Sequence, residues 1–455
     1  MFDSLKNVLA LVDADYADIR YEVRKTNQVA YSRDELTHIS ADSTDGFVLR
    51  VLKNGGFSSV VFTRPDDAAA AAAKAMENAR LLAQRQDKPV RLASVEPVVA
   101  TFSPTLVEDP RLISIEEKQE LVRAYNAIPL KHDKIVTTMT GYTDIIREKY
   151  FLSTEGAQIH EDLVTSLFGC SITAKDGTLT QGLVVLGGGS DGFQTVRGLE
   201  ASIERYTGLA IDLLNAEPVH GGVYNCVLNP SMTGVFTHEA FGHFSEADII
   251  ERLPAMRKKM YLGSKLGSDV LNIVDDATIE HEVGFYRFDD EGVPVRRVQL
   301  IKDGVLTGRL HSRKTAAEFN EPVSGHMIAE DHRYAPIIRM GTIYIEPGEF
   351  SQEDLFERLG DGIYLVDKKG GQTAGENFSF GAMYGWEIKN GKKGRLLRDL
   401  NISGNLYQTL ADISHIGNDL EFSKRGGCGK GQINHRSCMG GPHVLIKNLV
   451  VGGAS

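Results

Sequence analysis

The chain is poor in cysteine, with four in 455 residues. That is too few, for so long a chain, to build a disulfide framework. It has no run of about 18 uninterrupted apolar residues, which excludes a helical membrane span. The start, Met1-Phe2-Asp3-Ser4-Leu5-Lys6, lacks the basic stretch and apolar core of a signal peptide. Positive charge is in deficit too. The formal net charge is -11, whereas a nucleic-acid backbone selects a basic surface. A phosphate-binding loop is also missing, because Gly187-Gly188-Gly189-Ser190-Asp191-Gly192 is not followed by the P-loop lysine. These absences predict a cytoplasmic protein with reduced thiols, no membrane contact and no nucleic-acid partner, and they make 187–192 a flexible loop.

What is present is an ordinary globular composition, 42% hydrophobic and 24% charged, over enough residues for two or three domains. Alternation of apolar and polar residues predicts strands at 19–24, 36–40 and 47–52. Lys53-Asn54-Gly55-Gly56 then turns a hairpin into a return strand over 57–62. Pro65-Asp66-Asp67 opens a helix that the alanine run 68–73 carries to about Ala83. Residues 87–104 read as a linker, with Pro89 and Pro97 as breakers. A helix at 115–125, strands at 137–152, 158–173 and 179–186, and a helix at 198–215 follow. From Gly221 onward glycine punctuates short β runs, and Asp289-Asp290-Glu291-Gly292, Lys302-Asp303-Gly304 and Asn390-Gly391 mark turns. The fold class is therefore α+β. An N-terminal region of antiparallel sheets with helices spans 1–218, divisible into 1–90 and 105–218, and a mostly β domain spans 219–455.

The stretch with most chemistry is Thr237-His238-Glu239-Ala240-Phe241-Gly242-His243-Phe244-Ser245-Glu246-Ala247-Asp248. Zinc accepts neutral imidazole nitrogen, and a catalytic zinc keeps one position open for water. A carboxylate beside that water can take its proton and later return it. His238 and His243 are the candidate imidazoles and Glu239 the candidate base. The common zinc-protease helix sets its histidines four residues apart, on one face. Here the spacing is five, roughly 140° of rotation on a regular helix. The rings converge only if the turn widens, as in a π-bulge, or if the helix ends there. Gly242 would ease that distortion.

A hydrolytic zinc site takes three protein ligands. Candidates for the third are Glu246, Asp248, other histidines and the cysteines. Cys170 and Cys226 lie in apolar strands and read as core. Cys428 lies in Lys424-Arg425-Gly426-Gly427-Cys428-Gly429-Lys430-Gly431-Gln432. The glycines allow close backbone approach and the cations favour a thiolate, so it ranks first. Cys438 ranks second. Glu246 and Asp248 are either solvated helix acids or acids that orient an imidazole.

These motifs together resemble the TldD/PmbA family, in its TldD-like metalloprotease branch. The resemblance rests on the His-Glu-x-x-x-His stretch with its following Glu-x-Asp and on Asp289-Asp290-Glu291-Gly292-Val293. It extends to Met340-Gly341-Thr342, Ile402-Ser403-Gly404-Asn405-Leu406, Cys428-Gly429-Lys430-x-Gln432 and the closing Val450-Val451-Gly452-Gly453. It implies that His238, His243 and Cys428 bind zinc and that Glu239 is the catalytic base. It also implies a peptidase of short or unfolded peptides, working as a homodimer or as a heterodimer with a PmbA-like partner. The segment after Cys428 is one residue shorter than the family pattern Cys-Gly-Lys-x-Gly-Gln, which keeps Cys438 as a fallback ligand. A rival of a different class is a non-catalytic peptide-binding or scaffold subunit of such a complex, which needs no stoichiometric zinc.

Overall fold

Alternating side chains from Tyr16 onward build three consecutive antiparallel strands, β1 (Tyr16–Ser32), β2 (Glu35–Lys53) and β3 (Gly56–Phe62). The structure, a computed structural model, describes residues 1–453. The β2–β3 turn takes left-handed backbone at Asn54 (φ 51°) and Gly55 (φ 83°), the pair a two-residue hairpin loop favours. Two short strands were expected where β2 is continuous. The exposed polar stretch Ala41–Asp45 keeps pairing with β1, because backbone ladders do not need a buried face. A helix, Ala68–Arg85, lays Ala71, Ala72, Ala75, Met76 and Ala79 against this sheet.

The strands β5 (Ile135–Ser153) and β6 (Gln158–Asp176) extend the sheet, and β7 (Leu179–Gly189) pairs with β6. The order is β3-β2-β1-β5-β6-β4, with β4 (Val99–Phe102) lying in the stretch expected to be linker. It pairs parallel to β6, so the segment serves as an edge strand. The glycines 187–189 are strand and not a flexible loop. Gly188 has φ 146°, and a Cβ there would lie 2.5 Å from both Lys424 O and Ser166 O, so another segment crosses close above it. Helices Ile115–Ala127 and Glu200–Asp212 close this region over a core that also takes in Tyr364, Val366, Tyr384 and Ile388.

Beyond residue 217 strands dominate. The strands 362–374, 222–228, 444–452, 400–405 and 377–389 pair in that order, and 377–389 pairs back onto 362–374. That set of strands closes on itself and leaves few free edges. A six-stranded sheet, including 273–275, 342–345 and 438–441, packs beside it. The histidine helix lies between the two. No helix among the described residues is long and apolar enough to cross a membrane.

The two regions are joined by a buried ion cluster. Asp289-Asp290-Glu291 forms the expected turn and is buried, to 0%, 1% and 3% exposure. Asp290 Oδ2 meets Arg147 Nη2 and Arg20 Nη1, each at 2.9 Å, and its Oδ1 meets Lys149 Nζ at 3.2 Å. Glu22 pairs with Arg147 at 2.7 Å, and Glu161 pairs with Lys149 at 2.8 Å. Glu291 meets Arg50 at 3.0 Å. Cations on β1, β2 and β5 thus grip one acidic loop of the C-terminal region. Burial would raise the Asp290 carboxyl, but Arg147, Arg20 and Lys149 outweigh it and hold it far below the usual range.

A depressed carboxyl contributes stability that is whole above its unfolded pKa of about 4 and is lost as pH falls through the folded value. Asp290→Asn should therefore lower unfolding stability at pH 7 by about 3–5 kcal/mol, because the facing cations lose their anion. It should also flatten the acid limb of the stability profile below about pH 4. Denaturant unfolding from pH 7 to pH 3 reads both effects. Unchanged stability at pH 7 would mean that the cluster does not hold the regions together.

Candidate metal centre

The histidine helix starts where Asn229, at its N-cap, accepts a hydrogen bond from Met232 N at 3.0 Å, with Pro230 in the first turn. The same amide donates to Asp367 Oδ1 at 3.0 Å and so ties the helix to strand 362–374. An α-helical start, Pro230–Phe236, passes into a π-helical turn, Thr237–Gly242. Helical backbone resumes over His243–Ser245 and ends at Glu246, whose ψ is 111°. The widened turn compensates the five-residue spacing. The rings of His238 and His243 stand 5.1 Å apart, centroid to centroid, at 81°.

Gly242 serves differently from the expectation. Its φ of -54° is ordinary helical backbone. A Cβ there would lie 2.3 Å from Met340 Sδ and 3.0 Å from Ile343 Cδ1. The glycine is needed so that the turn can press against strand 342–345.

Cys428 arrives on a small hairpin in which Cys428–Gly429 pairs with Ile433–Asn434. Ligand atoms of His238, His243 and Cys428 lie within 4.8 Å of one another. Cys428 Sγ is 3.5 Å from His243 Nε2. Two ligands on one tetrahedral zinc at the usual Zn–N and Zn–S lengths are about 3.6 Å apart, so the spacing fits the ion. His238 is 1% exposed, and its Nδ1 has no hydrogen-bond partner among the described residues. Burial, with His243 and Lys368, holds that imidazole well below its ordinary value and therefore neutral, as a metal requires. On His243, burial is outweighed by bonds to Cys428 and Glu246, which lift it to about 10.

The acids after the second histidine have distinct parts. His243 Nδ1 donates to Glu246 Oε2 at 3.0 Å, which aims Nε2 at the cysteine. Glu246 is fully buried. Burial would raise its carboxyl, but His243 and Lys430 hold it below the usual range. Asp248 touches no imidazole among the described residues. It receives Lys430 Nζ at 3.0 and 3.1 Å.

Lys430 was expected, with its cationic neighbours, to favour a thiolate at Cys428. Instead it reaches across to Glu246 at 3.0 Å, to Asp248 and to Ile338 O at 2.6 Å. It pins the cysteine hairpin to the histidine helix. Arg339, buried to 1% exposure, donates to Cys428 O and, at 2.8 Å, to Gln432 O, and so fixes the same hairpin. The sequence gives no signal for Arg339, which lies some 90 residues away.

Glu239 stands outside the three-ligand group. Its backbone oxygen accepts Thr373 Oγ1 at 2.7 Å, and its carboxyl is raised by burial against the opposing pull of His243 and Lys368. Cys438 is not part of this set. Its thiol donates to Ser423 O at 3.4 Å, packs with Leu167 and Val283, and is pushed up to about 12 by burial. A second group, Glu148, His160 and Asp162, lies half-exposed on β5 and β6. There Tyr150 stacks on the His160 ring at 4.3 Å and donates to Glu148 at 2.6 Å.

Known proteins supply the context. Residues 221–453 match the PmbA/TldA metallopeptidase C-terminal domain, 17–81 match domain 1 and 108–217 match the central domain. The chain is 35% identical to a protein named as a metalloprotease from Synechocystis sp., over 97% of this chain and 95% of that one. It is 29% identical to a zinc metalloprotease TldD homolog from Saccharolobus solfataricus, over the full length of both. A solved structure from Thermotoga maritima, described as a candidate modulator of a DNA gyrase, superposes with a TM-score of 0.80 at 20% identity, covering 99% of this chain and 100% of that one. That last likeness speaks for the fold alone. On these matches, and with the His-Glu helix and its cysteine in place, the chain belongs to the PmbA/TldD metallopeptidase family.

Proposed function

We propose that this protein is a zinc-dependent metallopeptidase of short or unfolded peptides, in which His238, His243 and Cys428 hold zinc and Glu239 is the general base. The observation that carries the reading is the meeting of two imidazoles and one thiol across a π-helical turn, at a spacing that suits tetrahedral zinc. Zinc held there would act as a Lewis acid toward a peptide carbonyl and a water. Glu239, with a carboxyl lifted by burial, takes the proton of the attacking water. As the C–N bond breaks, it passes that proton to the departing amine nitrogen, so a carboxylic acid and an amine are released. Glu246 keeps the His243 ring in position, and Thr373 holds the backbone that carries the base.

Zinc content and peptide cleavage, measured on the same preparations, test the roles. Cys428→Ser should lose most of its zinc, since a neutral hydroxyl replaces a thiolate. Cys438→Ser should keep it. Glu239→Gln should keep zinc and fold and lose on the order of 10²–10⁴ in rate. Full zinc in Cys428→Ser, or an active Glu239→Gln enzyme, would remove that residue from its role. A protein that binds no zinc in any form supports the scaffold reading.

We further propose that the protein works in the cytoplasm as a dimer, with itself or with a PmbA-like partner. Family membership supports this. Light scattering should show a dimer at micromolar concentration, alone or with that partner, and a monomer under both conditions would contradict it.

A further inference from the structure

A cleft of about 710 Å³ lies between the N-terminal sheet and the segment that leads into the Cys428 hairpin. Its floor comes from β1, β5 and β6, and its roof from Arg425, Gly426 and Gly427, with Ile433 and His435 behind. Gly427 directly precedes Cys428, and Ile433 pairs with Gly429 across the hairpin. The roof is therefore the back of the element that presents the thiol.

Charge distinguishes this cleft. In a chain of net charge -11, the ionisable lining is Arg24, Arg425, His38 and His435, besides two tyrosines, and no carboxylate lines it among the described residues. Arg24 has a loose partner in Asp331 at 3.4 Å. The Arg425 guanidinium has no ion pair and no side-chain hydrogen bond among the described residues. It lies over Gly169, where a Cβ would come within 2.8 Å of Arg425 Nη1, and Lys424 O crosses Gly188, where a Cβ would come within 2.5 Å. The side-chain-free position at Gly169 thus leaves room for the exposed Arg425 guanidinium, and the one at Gly188 leaves room for the Lys424 carbonyl.

We propose that this cleft binds the peptide substrate by a carboxylate, which Arg425 receives in the planar two-point geometry that guanidinium favours. The proposal rests on the peptidase reading and deepens it, by making the enzyme selective for peptides that carry a negative charge. The carboxylate is either the peptide's C-terminus or an Asp or Glu side chain.

The test measures binding without turnover. Glu239→Gln protein, zinc-loaded and with any required partner, is titrated into three fluorescent hexapeptides of one neutral sequence. One has a free C-terminus, one a C-terminal amide, and one an amide plus a single internal Asp. A carboxylate-bearing peptide should bind roughly tenfold more tightly than the neutral amide. Adding Arg425→Gln should reduce that ratio to near one, whereas Arg425→Lys should retain part of it. Preference for the free acid alone identifies capture of the C-terminus, and preference for the Asp peptide alone identifies a side chain. Equal binding of all three, or a preference that survives Arg425→Gln, overturns the proposal. Cleavage of the neutral amide by the unsubstituted protein separates the two claims. If it is cut and no preference exists, only the anchor fails, whereas no binding and no cleavage of any peptide removes both.

Discussion

The constraint on which the site depends is angular. Two histidines five residues apart diverge on a regular helix, and the π-helical turn at Thr237–Gly242 brings their rings to 5.1 Å. Such a turn gives up regular hydrogen bonding, so packing must hold it. Asn229 fixes the start of the helix, Thr373 holds the Glu239 carbonyl, and Met340 and Ile343 press against Gly242. Each contact comes from a different part of the C-terminal region. The closed set of strands and the six-stranded sheet are thus what make the turn possible.

The third position comes from far along the chain and needs its own restraints. Lys430 spans from the cysteine hairpin to Glu246 and Asp248, and Glu246 in turn sets the His243 ring. One lysine therefore couples the placement of sulfur and nitrogen. Arg339 holds the same hairpin by its carbonyls. The acidic knot at Asp290 acts on a larger scale, since it ties the N-terminal sheet to an acidic loop of the region that carries the hairpin.

Much of this was legible in the sequence, for physical reasons. The five-residue spacing left either a widened turn or a helix end, and the structure has the widened turn. Glycines around Cys428 marked a segment able to approach closely, and Cys428, not Cys438, meets the histidines. The hairpin at Asn54-Gly55 followed from turn chemistry. What the sequence did not show was tertiary. The turn at Asp289-Asp290-Glu291-Gly292 is present as read, but only the cations of β1, β2 and β5, more than 130 residues away, reveal it as core. The glycines 187–189 read as flexible because sequence does not show the chain that crosses above them. Gly242 was assigned to backbone freedom when its role is space for Met340. The polar middle of β2 carried no alternation, because its side chains do not face a core.

The central claim is the identity of the three groups that meet at the π turn. X-ray absorption spectroscopy at the zinc edge of the purified, zinc-loaded protein tests it most directly. The account predicts one sulfur scatterer at about 2.3 Å and nitrogen scatterers from two imidazoles at about 2.0–2.1 Å. A zinc shell with no sulfur, or with two, would contradict it.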